Sequence, residues 1–413
     1  MNWKKLYEYV TGFLRWAVLA AAIGLVVGAA ATLFGFGLHE VTALREAHPW
    51  LLYLLPLGGV VIVALYRGSK YPDGGSTNSV FLAVRENKPM PLRTAPLIFA
   101  STLLTHLLGG SAGREGAALQ LGGSLAGAVG QKLGLDDKDI RVFTMCGMSA
   151  AFSALFGTPL AAAVFSMEVI NVGRMYYATL VPCVLSALAG SWLAGTLGLA
   201  PTAFVLTETV AVTPLSMLQV LALGVLFALL SAAFCVVLHQ SGHLYARLFP
   251  NPYIRAAAGG AAVILLTLVF RTRDYNGAGE NILRAAMVGE ALPWAFALKL
   301  LFTAATLGAG FKGGEIVPVF FTGATFGCVA APLLGLPAGF GGALGMVSVF
   351  CGVTNCPIAS VLLAVELFGG QGVALFALSC AVSYMLSGYF GLYSEQKILY
   401  SKFRAELIDR KAA

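Results

Sequence analysis

Few residues in this chain can do chemistry within its charge-free stretches, and those few recur. GGSAGREGAALQLGG (109–123) holds Arg114 and Glu115 between glycines, and GAGFKGGEIVPVFFTGATFG (308–327) holds Lys312 and Glu315. An ionised group at the centre of a bilayer costs ~3 kcal/mol on insertion scales, so charges placed there mark a pathway. Broken, Gly-rich backbone at membrane depth holds only where it is buried in protein or lines a cavity, and the helix that starts after the break aims free N–H groups and a positive dipole end at that place. Such a site binds an anion. Glu115 opens the helix expected after Gly113-Arg114. Its ionised carboxylate can occupy the anion site, and its protonated form can swing away, so one side chain serves as gate and proton carrier. Lys312 and Glu315 stand three apart and are expected to pair, so neither is assigned as a ligand. Pro318 and Pro357 suit the first turn of a helix, where proline has no N–H to lose.

The elements that position these groups follow from composition. Of 413 residues, 58% are hydrophobic and 11% charged, against about 25% charged in a soluble domain. That excludes a water-soluble globular protein, a disordered chain and a collagen. Residues 16–39, 47–66, 94–113, 142–167, 175–207, 209–246, 316–365 and 367–394 contain no Asp, Glu, Lys or Arg, and a helix needs about 20 mostly apolar residues to cross the hydrocarbon core. The chain reads as a multi-pass protein of the lipid bilayer. Its formal charge of +7 is read by position and not as a nucleic-acid footprint. Lys4, Lys5 and Arg15 before the first span and Lys397, Lys402, Arg404, Arg410 and Lys411 after the last put both termini in the cytoplasm. Residues 16–66 then form a hairpin whose His39 to Trp50 turn lies outside. The seven cysteines lie singly in apolar surroundings, and His239 and His243 lack companions for a metal, so no cofactor or metal is expected.

An internal repeat organises the chain. Gly110, Gly113, Glu115, Gly123 and Gly127 recur as Gly310, Gly313, Glu315, Gly323 and Gly327. Downstream, Thr158-Pro159-Leu160-Ala161 leads to Glu168 as Cys356-Pro357-Ile358-Ala359 leads to Glu366. Both glutamates are assigned a structural role, bonding exposed backbone N–H groups. Repeats with Gly-interrupted apolar segments at matching places are a signature of transporters, with the site at the repeat interface. One transmembrane domain, 1–413, with halves at about 16–200 and 209–395, is expected.

These residues resemble the CLC family of chloride channels and anion/proton antiporters over the whole chain. Gly113-Arg114-Glu115-Gly116 is similar to the family's gate motif, with Ala117 where Pro is usual. Gly314-Glu315-Ile316-Val317-Pro318 resembles its Gly-x-Phe-x-Pro, residues 159–168 resemble its Pro-Leu-Ala-Gly helix with a later Glu, and Tyr393 in GYFGLYSEQ resembles its anion-contacting tyrosine. The resemblance implies an all-α membrane fold with an inverted-topology repeat, broken helices meeting at a midplane anion site, and a homodimer with one pathway per subunit. It implies anion contacts at Ser76, Gly113, Gly116, Ile316, Val317 and Tyr393, with Arg114 beside them more as an anchor than as a ligand. No appended cytoplasmic domain is expected.

Three departures bear on the anion. The first filter motif corresponds to Gly74-Gly75-Ser76-Thr77-Asn78, with the serine shifted in register. The internal glutamate of many antiporters is replaced by Val169. Glu315-Ile316-Val317-Pro318 resembles the fluoride-exporting branch, while the hydroxyl-rich segment Gly74 to Ser79 favours chloride. Transport of chloride, with other halides allowed, coupled to protons through Glu115, is the reading. The alternatives are a fluoride/proton antiporter and, less favoured, a cation-coupled organic-anion transporter, which would not need the Gly-Arg-Glu-Gly gate. No nucleophile–base pair or metal-binding helix motif supports an enzyme.

Overall fold

The computed structural model describes residues 3–71, 76–86, 90–204, 206 and 208–413. Gly74 and Gly75 of the filter segment lie outside them; Ser76, Thr77 and Asn78 lie within. Sixteen α-helices and three short strands are found among the described residues.

The helices fall into two sets of eight that match in order. The first is α1 (Trp3–Ala47), α2 (Leu55–Gly68), α3 (Thr77–Glu86), α4 (Thr94–Leu107), α5 (Glu115–Lys132), α6 (Asp137–Phe156), α7 (Pro159–Glu168) and α8 (Leu180–Thr196). The second is α9 (Pro214–Leu248), α10 (Pro252–Phe270), α11 (Glu280–Met287), α12 (Ala295–Leu307), α13 (Ile316–Leu333), α14 (Ala338–Thr354), α15 (Pro357–Phe368) and α16 (Val373–Leu386). Packing repeats as well: α1 lies on α8 as α9 lies on α16, α5 on α6 as α13 on α14, and α7 meets α15 between the halves. The protein is an all-α, multi-pass membrane protein with an inverted internal repeat.

Local chemistry sets the boundaries. Asp136 caps α6, its side chain accepting from Asp139 N at 2.8 Å, and Gly157 ends that helix in the left-handed region at φ +71°. Thr213 and Ser216 form a reciprocal capping box at the start of α9. Proline stands at the first positions of α7, α9, α10 and α15.

Helix lengths depart from the charge-free runs. The run 316–365 is three helices, α13 to α15, and α7 and α15, of 10 and 12 residues, are too short to cross a core of about 30 Å alone. Such segments lack charge because they are buried in protein and not because each spans lipid. The first hairpin also turns later than expected. Helix α1 continues through His39 to Ala47, since no Gly or Pro interrupts it after Gly37, and the chain reverses in a 3-10 turn at Pro49–Leu54. At the other end α1 already begins at Trp3, ahead of Lys4, Lys5 and Arg15.

The core is made where backbones touch. A Cβ on Gly122 of α5 would run into the carbonyl of Gly147 of α6, and one on Gly323 of α13 into that of Gly345 of α14, so each pair of broken helices packs at backbone distance. Three strands, β1 (Asn171–Val172), β2 (Lys397–Tyr400) and β3 (Leu407–Lys411), form a small sheet in that order, with β1–β2 parallel and β2–β3 antiparallel.

Candidate functional site at the crossing of the repeats

The two Gly-rich breaks meet. Gly113 N donates to Gly314 O at 2.6 Å and Gly314 N to Gly113 O at 2.7 Å, an isolated antiparallel bridge joining the halves immediately before α5 and α13. This contact corrects the repeat's register by one residue. Gly113 pairs with Gly314, not Gly313, so Arg114 and Glu315 are the matching residues before the helices, and Glu115 matches Ile316. Identical glycines and glutamates masked the shift in the sequence. The crossing is symmetric in backbone and asymmetric in side chains.

Glu115 uses that asymmetry. Its side chain is fully buried, and Oε2 accepts from Arg114 N at 3.0 Å and Val317 N at 3.1 Å. The carboxylate therefore lies at the positive ends of both broken helices, bonded to an N–H that α13 cannot satisfy internally. Oε1 makes no hydrogen bond among the described residues. Gly116 follows, and a Cβ there would lie 2.7 Å from Thr77 Oγ1 and 3.0 Å from Glu315 Oε2. Both are buried and have no hydrogen-bond partner among the described residues, as is true of the Tyr393 hydroxyl. The Tyr393 ring meets Phe81 edge-on, centroids 4.9 Å apart, and Phe81 stands one helical turn from Thr77 on α3. Buried polar groups with unused hydrogen-bonding capacity are rare and costly, about 1–3 kcal/mol each. Four of them around two helix N-termini form a site for a small ion that accepts hydrogen bonds or exchanges a proton.

The structure sorts the sequence candidates. Gly113, Glu115, Gly116, Ile316 and Val317 come together at the crossing, and Tyr393 is buried instead of standing at a membrane interface. Ser76 is exposed, its N–H bonded to Ser79 Oγ at 3.2 Å, and the hydroxyl that faces Gly116 belongs to Thr77. Arg114 points away from the crossing. Its guanidinium lies 3.5 Å from Glu280 Oε1 and from Thr202 Oγ1, and 5.7 Å from the Phe156 ring centre. There it borders a cavity of about 780 Å³ lined also by Arg45, His106, Arg273, Glu280 and Arg284. A separate small cavity of about 20 Å³ is lined by Arg114, Phe156, Phe320, Met346 and Val317, whose N–H holds Glu115. Lys312 Nζ sits 4.7 Å from the Tyr66 ring centre.

Two residues went unassigned in the sequence. Buried His106 places Nε2 3.1 Å from the Gly113 carbonyl that also receives Gly314 N, so Nε2 carries a proton. Its sequence signal is a histidine inside a charge-free run. Glu315 is the other, set aside as an ion-pair member although its carboxylate faces Gly116.

A second crossing lies at the ends of α7 and α15. Glu168 at the end of α7 accepts from Ile358 N at 3.2 Å and Ala359 N at 2.9 Å, and Glu366 near the end of α15 accepts from Leu160 N and Ala161 N, both at 2.8 Å. Each carboxylate caps the other half's helix at the first N–H groups after proline, where Thr158 and Cys356 offer no side-chain cap.

With this geometry in view, comparison with known proteins decides the family. The family profile described as voltage gated chloride channel matches residues 58–388. The chain belongs to the CLC family. A relative from Pseudomonas syringae pv. tomato (strain DC3000), named a chloride/fluoride channel protein, is 36% identical over 95% of this chain and 88% of its own length. The crystal structure of a CLC-type fluoride/proton antiporter superposes with a TM-score of 0.90 at 35% identity, covering 93% of this chain and 98% of that one. A slow cyanobacterial chloride/proton antiporter gives a TM-score of 0.78 at 19% identity, over 90% and 94% of the two chains, which extends the likeness in fold. As a CLC-family protein, the chain is a membrane anion transporter.

Proposed function

We propose that this CLC-family protein is a halide/proton antiporter with fluoride as its preferred anion, Glu115 as gate and proton carrier, and the anion held by N–H groups at the starts of α5 and α13 together with the Thr77 and Tyr393 hydroxyls. The observation that carries the reading is the Glu115 carboxylate seated at the α13 N-terminus through Val317 N. An anion competing for that N–H must displace the carboxylate, and protonation weakens the carboxylate's hold, which links the two ions. Glu315 supplies the inner titratable group for which Val169 offers no substitute. Two relatives above 30% identity whose names include fluoride support the preference. Chloride is the second reading, favoured by a hydroxyl at Thr77 and no bulkier group there.

The same proposal includes a single transmembrane domain, a homodimer with one pathway per subunit in the bilayer, and both termini in the cytoplasm, supported by the family resemblance and the basic residues at both ends. The cavity beside Arg114 is then the outer vestibule. Catalysis of a covalent reaction and nucleic-acid binding form no part of it. Purified protein in liposomes, followed with fluoride, chloride and pH electrodes, tests it: fluoride efflux with stoichiometric counter-movement of protons is expected, and halide flux without proton movement overturns the coupling.

A further inference from the structure

The tail after Tyr393 is fastened to the helix that carries Thr77, and every fastening runs through one carboxylate and its neighbours. Arg85, in the last turn of α3, bonds the Glu395 carbonyl and, through Nη2, Glu395 Oε2 at 3.0 Å. Lys411, at the end of β3, donates to both Glu395 oxygens at 2.7 Å. At the other end of α3, Asn78 Nδ2 donates to Ser394 Oγ at 3.1 Å and Asn78 Oδ1 accepts from Glu395 N at 3.2 Å. Residues 394–395 are thus held along the length of α3. The next residue ties them to the membrane core: Gln396 Nε2 donates to Val169 O at 2.8 Å and Thr354 O at 2.6 Å, and its Oε1 accepts from Asn355 Nδ2 at 2.9 Å. β2 then pairs with β1, just beyond α7.

The mechanical consequence concerns two hydroxyls. Thr77 opens α3 and Tyr393 immediately precedes the clamped residues, so the clamp and the Phe81–Tyr393 ring contact both tie the helix of one hydroxyl to the segment of the other. We infer that Arg85, Glu395 and Lys411 are positioning residues of the inner anion gate, holding the Thr77 and Tyr393 hydroxyls at the separation that excludes uncoupled halide passage. The inference rests on the transport reading above and adds a residue set that touches no ion. Arg85 is also 3.2 Å from Glu86 Oε1, and Lys397 pairs with Asp409 at 3.0 Å on the same sheet, so the clamp sits within a mixed-charge surface where Glu395 carries the ion pair between helix and tail beside the Asn78–Ser394 bond. A buried gate would be insensitive to such surface pairs if they only decorated the sheet, because exposed ion pairs are individually worth about 0–1 kcal/mol. Here backbone bonds at residue 395 accompany the charge pairs and carry the constraint inward.

Full-length protein carrying Glu395→Ala, Glu395→Gln, Arg85→Ala or the Arg85→Ala/Glu395→Ala pair is reconstituted and read for proton-to-halide ratio, and its peptides 77–86 and 390–396 are followed by hydrogen exchange. The expected result is a ratio lowered at least threefold, exchange in both peptides accelerated at least tenfold, the double variant no worse than the singles, and Glu395→Asp restored toward the parent. Glu395→Gln keeps the side-chain shape and guards against a folding defect in Glu395→Ala. A ratio and exchange rates within twofold of the parent in Glu395→Gln and Arg85→Ala overturn the clamp. Accelerated exchange with an unchanged ratio overturns its role in the gate. Accelerated exchange in a protein whose parent moves no halide overturns the transport reading and leaves the mechanical link established.

Discussion

The two crossings between the repeats are built from the same backbone plan and diverge in side chains. Where α7 meets α15, Glu168 and Glu366 do the same thing in both directions, each capping two N–H groups of the opposite helix. Where α5 meets α13, the glycines pair symmetrically, yet Glu115 faces Ile316 across the pseudo-symmetry and Arg114 faces Glu315. One crossing has its four helix-start N–H groups satisfied by carboxylates and holds the halves together. The other leaves a carboxylate oxygen of Glu115 and one of Glu315 unbonded and buried. Symmetry survives where the requirement is mechanical, and on the proposed exchange of anion and proton it is lost where two different ions need inequivalent groups.

That contrast can be broken most severely at Glu115. Glu115→Gln should bring proton movement down to the level of empty vesicles while helicity and assembly stay as in the parent, measured by pH electrode and circular dichroism. The capping crossing should respond oppositely. Glu168→Ala and Glu366→Ala each strip two charge-assisted hydrogen bonds from a helix start, so a stability loss of about 2–4 kcal/mol with an unchanged proton-to-halide ratio is expected, larger at the more buried Glu168. A melting curve in detergent and the ratio in vesicles separate the two outcomes. Smaller again, Thr77→Val and Tyr393→Phe should each weaken halide affinity by about fivefold to tenfold, the worth of one hydrogen bond, and Ser76→Ala should leave it within twofold. Calorimetry that ranks Ser76 above Thr77 would return the filter to the sequence register.

The smallest effect concerns pH at the tail. Lys411, then Arg85, hold the Glu395 carboxyl below its ordinary value of 4.5. A depressed carboxylate contributes stability above the unfolded value and loses it as pH falls through the lowered folded value. Exchange protection of α3 should therefore stay level from about pH 8 to pH 5 and fall only in stronger acid, and it should weaken modestly with added salt.

Much of this was legible in the residues. The nine-residue advance from Pro159 to Glu168 and from Pro357 to Glu366 announces a repeated helix with a carboxylate at its end. It does not say that each carboxylate serves the other half's helix, because capping across a pseudo-twofold is a tertiary event. Glu115 between glycines is visible for the same reason that it is costly: a charge in an apolar run needs a purpose. The one-residue error in the repeat arose because more identities, Glu115 with Glu315 among them, fall in the wrong register, and only the hydrogen-bonded bridge selects Gly314 over Gly313. The motif points to Ser76 over its neighbour Thr77, since both carry a hydroxyl, and the start of α3 decides which one turns inward. Helix spans were overread at 316–365 because hydropathy reports exclusion from water without separating lipid from protein.

The Gly113–Gly314 bridge also limits how this transporter can alternate its access. Two backbone hydrogen bonds pin the halves at the ion site, and four carboxylate bonds pin them again at the second crossing. A rocking motion of one repeat against the other would break all six at once. Turnover is thereby confined to rotations of side chains and small shifts of loops around a fixed frame, so cross-linking the two halves across the bridge should leave transport running.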